Sequence, residues 1–200
     1  MEIIKKRLIL EQQNMRALVR AAVRDIVTIY KNNDEGEFYL PEELGKEMEY
    51  VFPRGNFSVE LKMEQSDKVN DFVIDGGYYS DEYIVSVEIK YNPKDKEKNI
   101  YDLVGELNDV VAHELRHLGQ VKQGIFDLDV DKNKKGYKYY SQPHEVDSQV
   151  FGFRRMSKVT KKPFDVLVDK WFDTHRDIHQ MGDNDIERVK QLVHDRNSKI

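Results

Sequence analysis

The sequence predicts an α+β fold: a small three-stranded antiparallel or mixed sheet packed on one central amphipathic helix, with helices before and after it. Three observations predict this. Apolar residues recur at spacings of three and four over 3–31, over 100–121 and in several stretches beyond 143, the period of a helix with one buried face. Between the first two helices, Phe57, Val59, Leu61 and Met63 alternate with polar residues, and Tyr83, Val85, Val87, Ile89 and Tyr91 do the same, the period of a half-buried strand. The composition, 39% hydrophobic and 34% charged over 200 residues, suits a soluble globular chain long enough to bury a proper core.

Each element follows in order. Ile4, Leu8, Met15, Leu18, Val19, Ala22, Val23, Ile26 and Tyr30 form the apolar stripe of one long helix, or of two broken near Gln12-Gln13-Asn14. Arg16, Arg20 and Arg24 lie on the opposite stripe and read as solvated, and Asn32 to Gly36 ends the element. Pro41 favours the first position of a short helix over 41–50, and Phe52 to Asn56 is a turn. Strands follow at 57–63, at Asp71 to Asp75 ending in Gly76-Gly77, and at 83–91. Their short links suggest an antiparallel meander with 83–91 as its exposed edge.

Asn92-Pro93 closes the sheet, and the central helix follows. Ile100, Leu103, Val104, Leu107, Val110, Val111, Leu115, Leu118 and Val121 make its apolar face, with Asn99 as N-cap, Asp102 in the first turn and Gly124 as stop. Residues 124–142 read as a polar loop containing Tyr137-Lys138-Tyr139-Tyr140. Pro143 opens a helix that stops near Thr160-Lys161-Lys162. Pro163 starts another, with Phe164, Leu167, Val168, Trp171 and Phe172 on one face. The last, 184–195, has Asp183 as N-cap and Ile186, Val189, Leu192 and Val193 as its stripe. We divide this one domain into an N-terminal helical segment (1–50), a core (51–160) and a C-terminal helical lobe (161–200).

The chemistry is concentrated in the central helix, where His113-Glu114-Leu115-Arg116-His117 spells H-E-x-x-H. Positions i and i+4 share a helix face, so the two imidazoles can aim at one point, as a Zn²⁺ site requires. Glu114 projects to the neighbouring face, within reach of a water at that site. A surface helix with two solvated histidines is the plainer alternative, and the well-formed apolar face argues against it. With no cysteine in the chain, thiolate ligands and disulfides are excluded, and a third ligand must be His, Asp or Glu beyond residue 117. Glu145 is the choice, in the first turn of a helix that a short loop returns beside the central one. Asp147 is the alternative, or an acceptor that orients an imidazole N–H. Both also suit the positive end of their helix dipole.

The order of helix, small sheet, H-E-x-x-H helix and acidic helix resembles the minimal zincin metallopeptidases of gluzincin-like type. These include thermolysin-type enzymes and, more closely, compact ImmA/IrrE-like and uncharacterised peptidases of phages and mobile elements. The stretch Glu145-Val146-Asp147-Ser148-Gln149-Val150-Phe151-Gly152 is similar to that group's Glu-x-x-Ala-Asn/Asp-x-Phe-Ala pattern, departing at Ser148, Gln149 and Gly152. Gln149 stands where an acidic residue often supports a ligating histidine. The resemblance covers about residues 57–155 and implies a zinc peptidase with His113, His117 and Glu145 as ligands and Glu114 as general base. An oxyanion donor is expected from Tyr140, with Tyr139 and His144 as alternatives, although His144 should point elsewhere around its helix. The substrate is then a protein or peptide, lying antiparallel to the sheet edge above the helix.

Two rival readings remain: a non-catalytic module of the same fold that binds a protein partner, and a nucleic-acid-associated protein using lysines near 94–98 and 132–138. A net charge of −5 and interleaved acidic residues argue against the second. Glu114 argues against the first, because a structural site has no use for a general base. His175 and His179 are also one turn apart but lack the glutamate, and packing near Trp171 explains them; His194 suits a helix C-terminus. No apolar run is long enough to span a membrane, and the N-terminus lacks a signal-peptide pattern, so the cytoplasm is the expected compartment, of a host cell if phage-encoded. The oligomeric state is not encoded in any of these patterns.

Overall fold

A computed structural model describes residues 2–40, 58–79, 84–123, 135–176 and 180–200. Among them are six helices and a four-stranded mixed sheet, in the order α1 (Glu2–Asn32), β1 (Gly36–Tyr39), β2 (Ser58–Gln65), β3 (Phe72–Tyr79), β4 (Ile84–Tyr91), α2 (Ile100–Gln123), α3 (Tyr137–Tyr140), α4 (Pro143–Thr160), α5 (Phe164–Thr174) and α6 (Asp183–Ser198). The expected helix at 41–50, the turn that follows it and the Gly124 stop lie outside the described residues. None of the described helices is long and apolar enough to cross a membrane.

The N-terminal periodicity forms a single helix of 31 residues, unbroken at Gln12-Gln13-Asn14. Its stripe from Met15 to Tyr30 is buried against α2 and β2. At its end Tyr30 meets Tyr91 edge-on at 5.1 Å, and the Lys96 ammonium sits over both rings.

The sheet departs from a meander. Its order is β1-β2-β4-β3, with β2 and β4 parallel and the two outer pairings antiparallel. Strand β4 is therefore interior, and 84–91 is not the edge. The reason lies in the side chains. Val59, Leu61 and Met63 of β2 align with Val85, Val87 and Ile89 of β4, all nearly inaccessible, so these two strands form the centre of the apolar face. β3 offers Phe72, Ile74, Gly76 and Tyr78 to that face, only Ile74 of them a buried apolar side chain, which suits it to the rim. The outer face pairs Lys62 with Glu88 and Glu64 with Lys90, exposed contacts worth little stability on their own. β1 was hidden in what reads as the end of the first helix; four residues are too few to show a period.

Helix α2 lies between this sheet and α4. Asn99 holds the N-cap position and its carbonyl accepts from Leu103 N–H, but its side chain reaches Asp71 instead of capping the helix. Helices α4, α5 and α6 build a second apolar core from Val146, Val150, Phe153, Leu167, Val168, Phe172, Ile186, Val189 and Val193. Two details of α6 differ from expectation. Gly182, not Asp183, is the N-cap, with Asp183 in the first turn. Leu192 is 36% exposed while Lys190 is buried, its ammonium ringed by Asp169, Asp173 and Glu187 at 3.1–3.5 Å. His175 packs on Trp171 as expected, and His194 pairs with Asp165.

Candidate metal centre

The seam between the two cores holds the polar residues. His113, Glu114 and His117 come from α2, and His144, Glu145 and Asp147 from the first turn of α4, where Pro143 occupies a starting position that needs no N–H donor. One turn apart on α2, His113 and His117 bring their Nε2 atoms to 3.0 Å. At that separation at least one of the two must present a lone pair. Glu145, 3% exposed, places Oε2 3.4 Å from His113 Nε2 and Oε1 3.4 Å from His117 Nε2.

These three side chains form a group able to hold a metal ion. A tetrahedral zinc with bonds of ~2.0–2.1 Å keeps its ligand atoms ~3.3 Å apart. The Nε2–Nε2 separation of 3.0 Å and the 3.4 Å from each Nε2 to one of the two Glu145 oxygens are of that size, with the carboxylate spanning both histidines. Asp147 is not part of the group. Arg116 takes its Oδ2 at 2.7 Å, Arg196 takes its Oδ1 at 2.5 Å, and Gln120 also donates to Oδ2. Of the two third-ligand candidates, the packing brings only Glu145 to the histidines. His144 does not point away as expected: it is buried, with Nε2 3.4 Å from Glu145 Oε1 and its ring 5.8 Å from that of His117.

The charges explain why a cation suits this place. Burial alone would raise the Glu145 pKa, but hydrogen bonds from His113, His117 and His144 hold it well below the usual carboxylate range. Burial would lower that of His113, yet the hydrogen bond to Glu145 and the charges of Glu114, Glu145 and Asp109 raise it to about 9. A proton thus neutralises a site that faces three carboxylates, and a divalent cation can do the same more completely. Burial also raises Glu114, and raises Asp109 to about 7.

Supporting contacts come from Gln120 and Asp109, which the sequence reading did not single out, and from Ser148 and Gly152, which it noted only as departures from the resembled pattern. His117 Nδ1 lies 3.1 Å from Gln120 Oε1 and 3.2 Å from Ser148 Oγ, either of which can accept its N–H and so point Nε2 at the site. The Gln120 amide nitrogen in turn reaches His144 O, Asp147 and Ser148. Asp147 therefore acts on the imidazole through Gln120 rather than directly. Gln149, by contrast, is 3% exposed with both amide atoms unpartnered among the described residues. Asp109, one turn before His113, occupies the space where a Cβ on Gly152 would fall, so glycine there leaves room for a carboxylate. For Gln120 and Asp109 the sequence signals were spacings: Gln120 is i+3 from His117 and Asp109 is i−4 from His113.

Glu114, 8% exposed, lies against the edge strand β3. A Cβ on Gly76 would sit 3.2 Å from its Oε1 and 2.5 Å from Val110 Cγ1, so the strand can approach the helix this closely only with glycine there. Above the site, burial raises the Tyr139 pKa, and the Glu145 and Glu114 charges and a hydrogen bond to Glu145 add to the rise. The Tyr140 ring packs edge-on to Trp171 and Phe172, and burial, then the charges of Glu145 and Asp75, push its hydroxyl up to about 12. Both phenols are protonated donors at neutral pH.

No family model matches this chain, and no curated protein or solved structure matches it either.

Proposed function

We propose that this protein is a zinc-dependent peptidase whose ion is held by His113, His117 and Glu145. The convergence of these three side chains from two helices, with edges of 3.0–3.4 Å, carries the reading. A bound Zn²⁺ would lower the pKa of water towards neutrality and polarise a scissile carbonyl. Glu114 is the general base: its raised pKa suits a group that accepts the water proton and later returns it to the leaving amine. Tyr140 is the favoured donor to the developing oxyanion: its hydroxyl is protonated at neutral pH and feels the Glu145 charge. Gln120 and Ser148 stand where they can accept the His117 Nδ1–H and leave Nε2 to bind the ion.

Strand β3 replaces 83–91 as the peptide-docking edge. It is the rim strand beside Glu114, and its outer backbone groups can pair with an extended peptide.

The test combines elemental analysis with cleavage of an unstructured protein such as casein. One zinc per chain, retained in Glu114→Gln and lost in Glu145→Ala, with cleavage abolished in both, is expected. A wild-type chain that neither binds zinc nor is stabilised by it would overturn the assignment. Zinc binding with no cleavage of any peptide would favour the partner-binding module instead.

A further inference from the structure

Arg116, which pairs with Asp147, also lines a cavity of about 320 Å³ formed by α1, α2, α4 and Ile200 after α6. Its charged lining is Arg16, Arg116, Arg154, Arg155, Lys158 and one carboxylate, Asp147. In a chain of net charge −5 that is a concentrated positive surface. The one carboxylate is already taken by Arg116 and Arg196. Arg154 donates to the Asn197 side chain and carbonyl, and Arg155 to Asn108 Oδ1 at 2.9 Å, neutral acceptors that orient a guanidinium without cancelling its charge. No ion pair joins Arg16, Arg154, Arg155 or Lys158 to a carboxylate among the described residues. Arg155 is half-buried and faces Arg16 and Arg20 at close enough range for their charges to oppose its own. A half-buried guanidinium that faces like charges, as Arg155 does, costs free energy unless an anion joins it.

We infer that this cavity binds a small phosphate-bearing anion. Several guanidinium forks converging with one lysine suit the many acceptor oxygens and multiple charge of a phosphate group better than a single carboxylate. The volume is that of a small-molecule pocket, and Val150 and Phe151 give it an apolar wall. A nucleic-acid backbone fits less well. It would need a basic track, whereas the cations here converge in a recess of an otherwise acidic protein. This inference stands independently of the peptidase reading.

The test is calorimetric titration of inorganic pyrophosphate into the full chain at constant ionic strength, after removal of metal so that chelation contributes no heat. Saturable binding at one site per chain is expected. Arg155→Gln should weaken it by about tenfold or more, the effect of losing one charge-assisted hydrogen bond. Arg16→Glu, at an exposed position where folding is not in question, should weaken it comparably, and Lys62→Ala on the sheet should not. Absence of saturable binding, affinity unchanged in Arg16→Glu, or tighter binding of a short single-stranded oligonucleotide than of pyrophosphate would each overturn the inference.

Discussion

Replacing Gly152 by alanine tests whether the approach of α4 to α2 builds the metal centre. The new Cβ would fall within the van der Waals envelope of the Asp109 carboxylate, 3.3 Å from its Cγ and 2.9 Å from its backbone oxygen. Carbon–oxygen contacts ordinarily stay beyond ~3.3 Å. Turning the carboxylate aside therefore relieves only part of the clash, and the helices must also separate by a few tenths of an ångström. Overpacking of this size costs ~2–3 kcal/mol. With an unfolding entropy of ~2.1 cal/mol/K per residue, a chain of this length should melt ~5–7 °C lower. Gly152 is two turns beyond Glu145 on the same helix, so the separation also moves a ligand, and zinc affinity should fall by about tenfold. Thermal unfolding and zinc titration read the two effects. Asp109→Ala in the same chain should recover part of the melting loss, because it removes the carboxylate contact and leaves the backbone one. A Gly152→Ala protein that melts within ~1 °C of wild type and binds zinc equally would refute the packing argument.

Further outcomes follow from the same geometry. Ser148→Ala combined with Gln120→Leu removes both acceptors for His117 Nδ1 and should weaken zinc binding by about 10–100-fold, measured by competition with a chelating dye. Tyr140→Phe should lower turnover by about 10²-fold with zinc content unchanged, and full turnover would remove Tyr140 as the oxyanion donor. In the metal-free protein, Asp109 is raised to about 7 from 3.8, so the folded state binds more protons than the unfolded one between these values. Its contribution is thus lost as pH rises through about 7, roughly 2–4 kcal/mol in all. Denaturant unfolding in chelator at pH 5.5 and 8 should show the loss, and Asp109→Asn should reduce it; equal slopes would reject the assignment. Asp147, lowered despite burial by Arg116 and Arg196, works in the opposite sense: its stability is present above its unfolded value and is lost as pH falls through its folded one.

The sequence by itself determined what neighbouring residues decide. Helix periods survive in α1, α2, α4, α5 and α6, because one face of each must be apolar whatever it packs against. The pairing of His113 and His117 was equally legible, since i and i+4 meet within one turn of a single helix. Tertiary structure decided everything that required choosing a partner. The apolar faces of β2 and β4 are alike enough to pair in either direction, and only the assembled sheet, with β4 between β2 and the glycine-bearing β3 that meets α2, fixed which strand is interior. Glu145 and Asp147 stand two residues apart in one helical turn; the neighbouring Arg116 and Arg196 claimed the second and left the first to the histidines. Gln120 and Asp109 carry no motif of their own, and Ser148 and Gly152 stood out only as departures from a resembled pattern. Their roles exist only where α2 and α4 touch, because a contact between two helices is fixed by the shape of both and written in neither alone.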